Sequence, residues 1–264
     1  MNGPPGELFA GAASYYARYR PGYPDELFAT PAGWLGLDGS QLAADIGCGT
    51  GQATIPLARL VRRVVAIDPE PGMLDHARAA ATAAGVTNIE WRLGDSTGLA
   101  GLGIAGAHLA VFASSWHWTD RPQVAAALDR LLDPAGALVL LGNGEGPGGE
   151  PDWDRAITEL RSHYLGPVRR AGSGSYVRPQ GRHQDILRDS PFSSVRELWL
   201  DWERTLTVDE VIGLQFSYSF STRAMFGGRA EDFARDVRRT VLALHPDGVV
   251  VERIRTEALV ARRP

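Results

Sequence analysis

The sequence predicts an α/β fold, a doubly wound and largely parallel sheet of about seven strands. Short apolar, β-branched runs alternate with segments of helical spacing between residues 41 and 141. Several of those runs are apolar without alternation, as strands covered by helices on both faces require. Glycine or polar residues stand at the ends of four consecutive runs, where ligands bind such sheets.

The elements follow in order. Pro21-Gly22-Tyr23-Pro24 breaks any helix begun in Ser14–Arg20, and Pro24 can open the next one. Gln41–Ile46 is a short apolar strand ending in glycines, and Thr50–Leu60 has helical spacing. Arg63–Ile67 is a β-branched strand, and Pro71–Ala84 is an Ala-rich helix stopped by Gly85. Ile89–Leu93 and His108–Ala113 are strands, Pro122–Leu132 is a helix ended by Asp133-Pro134, and Ala137–Leu141 is the fifth strand. Beyond it, Gly142–Gly149 reads as a glycine-rich turn, Trp153–Leu165 as a helix and Gly166–Asp189 as loop. Val195–Leu206 alternates like a half-buried strand, Val208–Leu214 and Ala230–Ala243 have helical spacing, and Val249–Val260 is a final strand after the Pro246-Asp247-Gly248 turn. The 264 residues are read as one domain, with a helical cap over 1–40, a ligand-binding core over 41–141, a lid insertion over 142–192 and C-terminal strands and helices over 193–264.

Composition narrows the chemistry. All 27 basic residues are arginine. Without lysine there is no Schiff-base or pyridoxal chemistry and no G-x-x-x-x-G-K phosphate loop. A net charge of −4 lacks the basic footprint of a nucleic-acid binder, and no apolar run is long enough to span a bilayer. The one cysteine, Cys48, excludes an intrachain disulfide, and the histidines show no metal-ligand spacing. With no signal-peptide pattern at the start, the expectation is a cytoplasmic protein, monomer or homodimer.

The strongest motif is Asp45-Ile46-Gly47-Cys48-Gly49-Thr50-Gly51, between a strand and a helix. Glycines at alternate positions let backbone approach a ligand, and the helix start presents free N–H groups. Asp68 directly follows the second strand, where a carboxylate can accept both hydrogen bonds of a ribose diol. Gly94-Asp95-Ser96 follows the third strand and Ser114-Ser115-Trp116-His117-Trp118 the fourth.

These residues resemble the class I S-adenosylmethionine-dependent methyltransferases over Gln41–Leu141, a Rossmann-like fold whose last strand is antiparallel. Tyr16–Pro24, His117-Trp118 and Leu206-Thr207-Val208 are similar to the small-molecule "type 11" branch that includes trans-aconitate methyltransferases. The resemblance implies S-adenosylmethionine as cofactor. Asp45, Gly47, Cys48, Gly49, Thr50 and Gly51 would hold its methionine part, and Asp68 its ribose. Pro69 and Met73 would line the adenine pocket, Gly94, Asp95 and Ser96 would meet the adenine edge, and Ser114 would sit under the methionine end. Tyr15, Tyr19 and Arg20 are candidates for closing that pocket from the N-terminal segment; Arg20 equally reads as a solvated surface charge.

His117 stands where a methyl acceptor should meet the sulfonium. It reads equally as a general base or as a histidine packed between Trp116 and Trp118. Trp116, Trp118 and Tyr218 are candidate acceptor contacts, the two tryptophans also reading as core. Arg161, Arg169, Arg170, Arg178, Arg182 and Arg188 form a local basic cluster from which one or two could clamp an anionic acceptor. The function expected is methyl transfer to an oxygen or nitrogen of a small organic molecule, an anionic one included. The alternatives are a non-methylating protein on the same fold and an NAD(P)-binding oxidoreductase, which would need G-x-G-x-x-G.

Overall fold

The computed structural model describes residues 9, 11–168, 170–171, 174–175 and 181–264. Seven strands form one mixed sheet: β1 (Leu42–Ile46), β2 (Arg63–Asp68), β3 (Ile89–Leu93), β4 (Ala107–Ala113), β5 (Leu132–Glu145), β8 (Ser194–Thr207) and β9 (Val249–Arg262). They lie in the order β3-β2-β1-β4-β5-β9-β8. The first five pair in parallel and the last strand is antiparallel. The doubly wound α/β prediction therefore holds.

The chain folds as two compact units. One comprises Gly22–Asn143, Arg178–Leu200 and Thr256–Pro264. Its sheet buries both faces, which is why β1, β2 and β4 read as continuous apolar runs. On one face Ile46, Val65, Ile67, Phe112 and Trp116 pack with Leu128 and Phe192. On the other Ala43, Val64, Ala66, Val111 and Val139 pack with Leu27, Leu57 and Leu74. Helices α2 (Glu26–Leu35), α3 (Thr54–Ala58), α4 (Pro71–Ala83) and α5 (Arg121–Leu131) supply the covering layers. The starts of α4 and α5 are fixed by side-chain caps: Glu70 accepts from Met73 N at 2.6 Å and Asp120 from Gln123 N at 3.2 Å.

The other unit comprises residues 1–21, 144–177 and 201–255. It contains α1 (Ala13–Tyr19), α6 (Asp152–Leu165), the short pair β6 (Arg170–Ala171) and β7 (Gly174–Ser175), α8 (Val208–Phe216), α9 (Arg223–Phe226) and α10 (Ala230–Leu244). Phe233, Val237 and Val241 recur every fourth residue on α10 and are fully buried with Trp153, Ile157, Phe216 and Phe226. Thr207 and Glu210 form a reciprocal cap at the start of α8. Gly213 lets α8 meet Tyr19, since a Cβ there would lie 2.2 Å from the ring.

Four boundaries differ from the sequence reading. The helix read over Thr50–Leu60 is confined to α3 (Thr54–Ala58), and residues 50–53 lie in the turn before it. Residues 142–145 continue β5 instead of turning, because Gly142 and Gly144 lie in a paired strand. That strand also runs back past Pro134: Leu132 pairs with Ala107 and Ala137 with Leu109, and the register shift between them absorbs Asp133–Gly136. Within Gly166–Asp189, expected as loop, lies α7 (His183–Arg188). Six residues are too few to show a helical period, and its placement comes from burying Gln184 and Leu187. Arg169 and Arg178 lie outside the described residues.

Candidate cofactor and active site

The candidate site is built at the carboxyl ends of β1, β2, β3 and β4. After β1 the chain turns back so that Gly47 N and Cys48 N both donate to Ile67 O, at 2.8 and 2.9 Å. Gly49 N donates to Asp68 Oδ2 at 2.8 Å, and Glu70 N donates to Asp68 Oδ1 at 2.9 Å. Asp68 is thus locked by two backbone donors that tie the β1 loop to the end of β2. Each oxygen keeps lone-pair capacity for a further donor. Burial pushes its carboxyl up to about 6, against the two backbone donors.

Asp45 is fully buried on β1. Thr54 Oγ1 donates to its Oδ2 at 2.6 Å, whereas Oδ1 has no partner among the described residues. Burial raises its carboxyl to about 7, with Thr54 lowering it and the charge of Asp68 raising it further. An orphaned carboxylate oxygen beside a glycine loop fits a cationic donor such as a ligand ammonium, which would restore full ionisation. Cys48 is also buried, and burial holds its thiol well above the ordinary range, so it is not a nucleophile.

At the third strand end, Gly94 N donates to Asp68 O at 3.1 Å. Asp95 accepts from Thr97 N at 2.7 Å, which fixes the following turn with Ser96 half-buried inside it. Pro69 is half-buried and Met73 is buried at the start of α4.

The fourth strand end carries the most constrained backbone. Ser114 has φ 55°, the one left-handed non-glycine residue among those described. Such strain persists only where the surroundings impose it. Ser114 N donates to Leu141 O at 2.7 Å, and its Oγ shares a 3.0 Å hydrogen bond with Tyr23 OH. Ser115 Oγ donates to Ile46 O at 2.5 Å, joining the ends of β4 and β1. Residues 116–118 form a 3₁₀ turn. Trp116 is 2% exposed and packs edge-on against Phe112 at 4.7 Å, which makes it a core residue. His117 lies 4.8 Å from the Trp118 ring. Burial, then the positive fields of His183 and Arg121, lower its imidazole to about 4, so it is neutral at physiological pH. Arg121 in turn donates to His183 Nδ1 at 3.4 Å.

The strand ends therefore bring together Asp45, Gly47, Cys48, Gly49, Thr50, Gly51, Asp68, Gly94, Asp95, Ser96, Ser114 and His117. Tyr15, Tyr19, Arg20 and Tyr218 belong to the other unit and meet one another there. Tyr15 stacks near Tyr19 at 6.2 Å, and the Arg20 guanidinium lies 4.1 Å from the Tyr218 ring centre. Sequence reasoning missed Thr54, Tyr23, Ser115, Arg121 and His183. Of these only Tyr23 carried a signal, its place between Pro21 and Pro24. No cluster of metal-binding side chains occurs among the described residues. Among those residues, too, no helix is long and apolar enough to cross a membrane.

Residues 43–136 match a methyltransferase-domain family model. The chain is 30% identical to an uncharacterized methyltransferase of Mycobacterium tuberculosis, over 90% of this chain and 86% of that one. It is also 30% identical to nocamycin O-methyltransferase of Saccharothrix syringae, over 66% of this chain and 67% of that one. Its fold is similar to that of an S-adenosylmethionine-dependent methyltransferase from Thiobacillus denitrificans in complex with S-adenosyl-L-homocysteine. That likeness has a TM-score of 0.52 at 17% identity and covers 99% of this chain and all of that one. Glycine loop, acidic strand ends and kinship along most of the sequence agree: this chain belongs to the class I S-adenosylmethionine-dependent methyltransferases.

Proposed function

We propose that this enzyme transfers a methyl group to an oxygen of a small organic acceptor, with His117 taking the acceptor's proton. The observation that carries this reading is a half-buried, neutral imidazole at the exit of β4, held uncharged by desolvation and by the fields of His183 and Arg121. The kinship to nocamycin O-methyltransferase and the resemblance to the trans-aconitate branch both favour a small-molecule oxygen acceptor. S-adenosylmethionine supplies a methyl group already activated on a sulfonium. The chain's task is then to position the acceptor, exclude water and receive a proton. Asp45 and the Gly47–Gly51 loop hold the methionine part, and Asp68 holds the ribose. Pro69, Met73, Asp95 and Ser96 surround the adenine, and Trp118 lines the acceptor side.

Incubation with methyl-labelled cofactor and a panel of small phenols, alcohols, amines and carboxylic acids tests the reading. Label should appear in an O-methylated small molecule; label in RNA or protein alone would overturn it.

The Asp45 assignment predicts a proton linkage of definite sign. Its folded-state pKa, about 7, lies above the ordinary 3.8. The folded, ligand-free protein therefore binds a proton that the unfolded chain does not between about pH 4 and 7. Stability from this group falls as pH rises through that window. Asp45→Asn removes the buried charge, so at pH 8 it should stabilise the ligand-free protein by about 1–3 kcal/mol. It should also shrink the rise in Tm given by S-adenosylhomocysteine. A full ligand-induced rise in that variant would remove Asp45 from the binding site.

A further inference from the structure

The unit comprising Gly22–Asn143, Arg178–Leu200 and Thr256–Pro264 holds a hydrogen-bond chain that no assigned role accounts for. Gly22, Asn143 and Thr256 are residues at which the chain enters or leaves that unit. Such segment ends fray unless they are tied down. Here Asn143 Nδ2 donates to Gly22 O at 3.1 Å, and the buried Thr256 donates from Oγ1 to Asn143 Oδ1 at 2.6 Å. One side-chain amide thus joins all three. Tyr23 follows Gly22 directly, and Pro24 biases its backbone to extended conformations. Its ring packs edge-on against Phe28 at 6.4 Å. From that anchored position its hydroxyl shares a 3.0 Å hydrogen bond with Ser114 Oγ.

Serine is ill suited to the backbone that Ser114 holds. At φ 55° a Cβ crowds the backbone, and glycine would sit there without strain. The bond from Ser114 N to Leu141 O is one that a glycine could make equally well. The bond to Tyr23 needs the serine hydroxyl, so the side chain itself supplies a restraint that offsets the strain. The next hydroxyl, Ser115 Oγ, donates to Ile46 O on the β1 side at 2.5 Å. Pairing of β4 with β5 ends at Ala113, opposite Leu141. Beyond that point two successive serines pin the chain, one to Tyr23 and one to β1. The 3₁₀ turn bearing His117 begins immediately after them, at Trp116.

We propose that Tyr23 is a positioning residue of the methyl-transfer site: its hydroxyl holds Ser114 in the left-handed conformation and so sets how the turn carrying His117 leaves β4. This rests on the reading of the β4 exit as that site. Tyr23 acts here through Ser114. A purely structural tyrosine would contribute to Tm alone. A positioning one also changes the surroundings of His117 and the fit of a ligand at the methionine end.

Tyr23→Phe keeps the ring and deletes the hydroxyl, whereas Ser114→Gly accepts the left-handed backbone without strain. The full-length protein, both variants and their combination are compared by NMR titration of the His117 ring without ligand. They are also titrated calorimetrically with S-adenosylhomocysteine and with 5′-methylthioadenosine, which lacks the amino-acid part. Tyr23→Phe should raise the pH at which His117 titrates, because a loosened turn returns water to the imidazole. His183 and Arg121, whose fields also act on His117, are untouched by these changes. S-adenosylhomocysteine should bind about 3- to 10-fold more weakly, the worth of one neutral hydrogen bond, and 5′-methylthioadenosine as before. In the Ser114→Gly background the same Tyr23→Phe change should move neither the His117 titration nor the S-adenosylhomocysteine affinity further. An unshifted His117 titration in Tyr23→Phe, or an equal shift in both backgrounds, would overturn the proposal. Equal weakening of both nucleosides, the mark of general destabilisation, would overturn it too. Because the His117 titration needs neither cofactor nor acceptor, failure to find any methylated product would count against the methyl-transfer reading and not against this role.

Discussion

His117→Gln should lower kcat for a hydroxyl acceptor by about 10²- to 10⁴-fold, the usual contribution of a positioned proton acceptor. The dissociation constant of S-adenosylhomocysteine should stay unchanged. An imidazole at about 4 is a weak base, and it would deprotonate no free alcohol. The acceptor oxygen, however, becomes an oxonium as its new bond forms, and that proton is acidic enough for a weak base to take. Neutrality is the property that matters, because a cationic His117 could not accept the proton. The group lies below its ordinary 6.5, so activity should need only pH above about 4 from this residue and show no acidic limb near 6.5. The stability linkage has the opposite sense to that of Asp45. The unfolded chain protonates His117 between about pH 6.5 and 4 and the folded chain does not, so this group costs stability as pH falls through that window.

Arg121→Met offers an internal control. It removes one of the two cationic fields on His117, though burial, the larger cause, remains. The acidic limb of the kcat profile should therefore move upward modestly while kcat at pH 8 is retained. An acceptor methylated on a carboxylate needs no base. Unchanged kcat in His117→Gln would thus remove the proton-acceptor role and direct attention to carboxyl methylation.

Legibility in the sequence followed the range of the interactions. Strands β1, β2 and β4 were visible because both sheet faces are covered there, leaving runs such as Val64–Ile67 apolar at every position. The glycine loop and Asp68 were visible because each stands directly against a strand end. What stayed hidden was contact between distant positions. Tyr23 meets Ser114 across 91 residues, and Ser115 reaches Ile46 across 69. Neither hydroxyl differs in sequence from any surface serine. The partner of Asp45 is Thr54, nine residues on, a spacing that belongs to no repeating pattern. The neutrality of His117 was hidden as well, since it depends on burial and on the fields of His183 and Arg121. Trp116 and Trp118 are two residues apart, yet a 3₁₀ turn places the first in the core and leaves the second half-buried.

Gly47→Ala should be the most damaging single methyl addition in the candidate site. The sequence offers ligand approach as the reason for a glycine there, whereas the structure supplies a neighbour from within the chain. A Cβ on Gly47 would lie 2.5 Å from Ser115 Cβ and 2.9 Å from Ser115 Oγ. The backbone at Gly47 is left-handed as well, with φ 73°. The left-handed conformation costs an alanine about 1–2 kcal/mol, and forced overpacking adds about 1–3 kcal/mol. Relief by moving Ser115 would break its bond to Ile46 O and shift the strained Ser114 next to it, so the damage should reach the His117 turn. A Tm lower by about 5–15 °C is expected, with S-adenosylhomocysteine binding weakened alongside it. The two causes separate in a double-mutant cycle with Ser115→Gly, which removes the colliding atoms and leaves the conformational cost in place. Recovery of about half the loss in the double variant would show that contact and conformation both matter. No recovery would mean that the left-handed backbone alone requires glycine, and that the close approach of β1 to β4 contributes nothing to its selection.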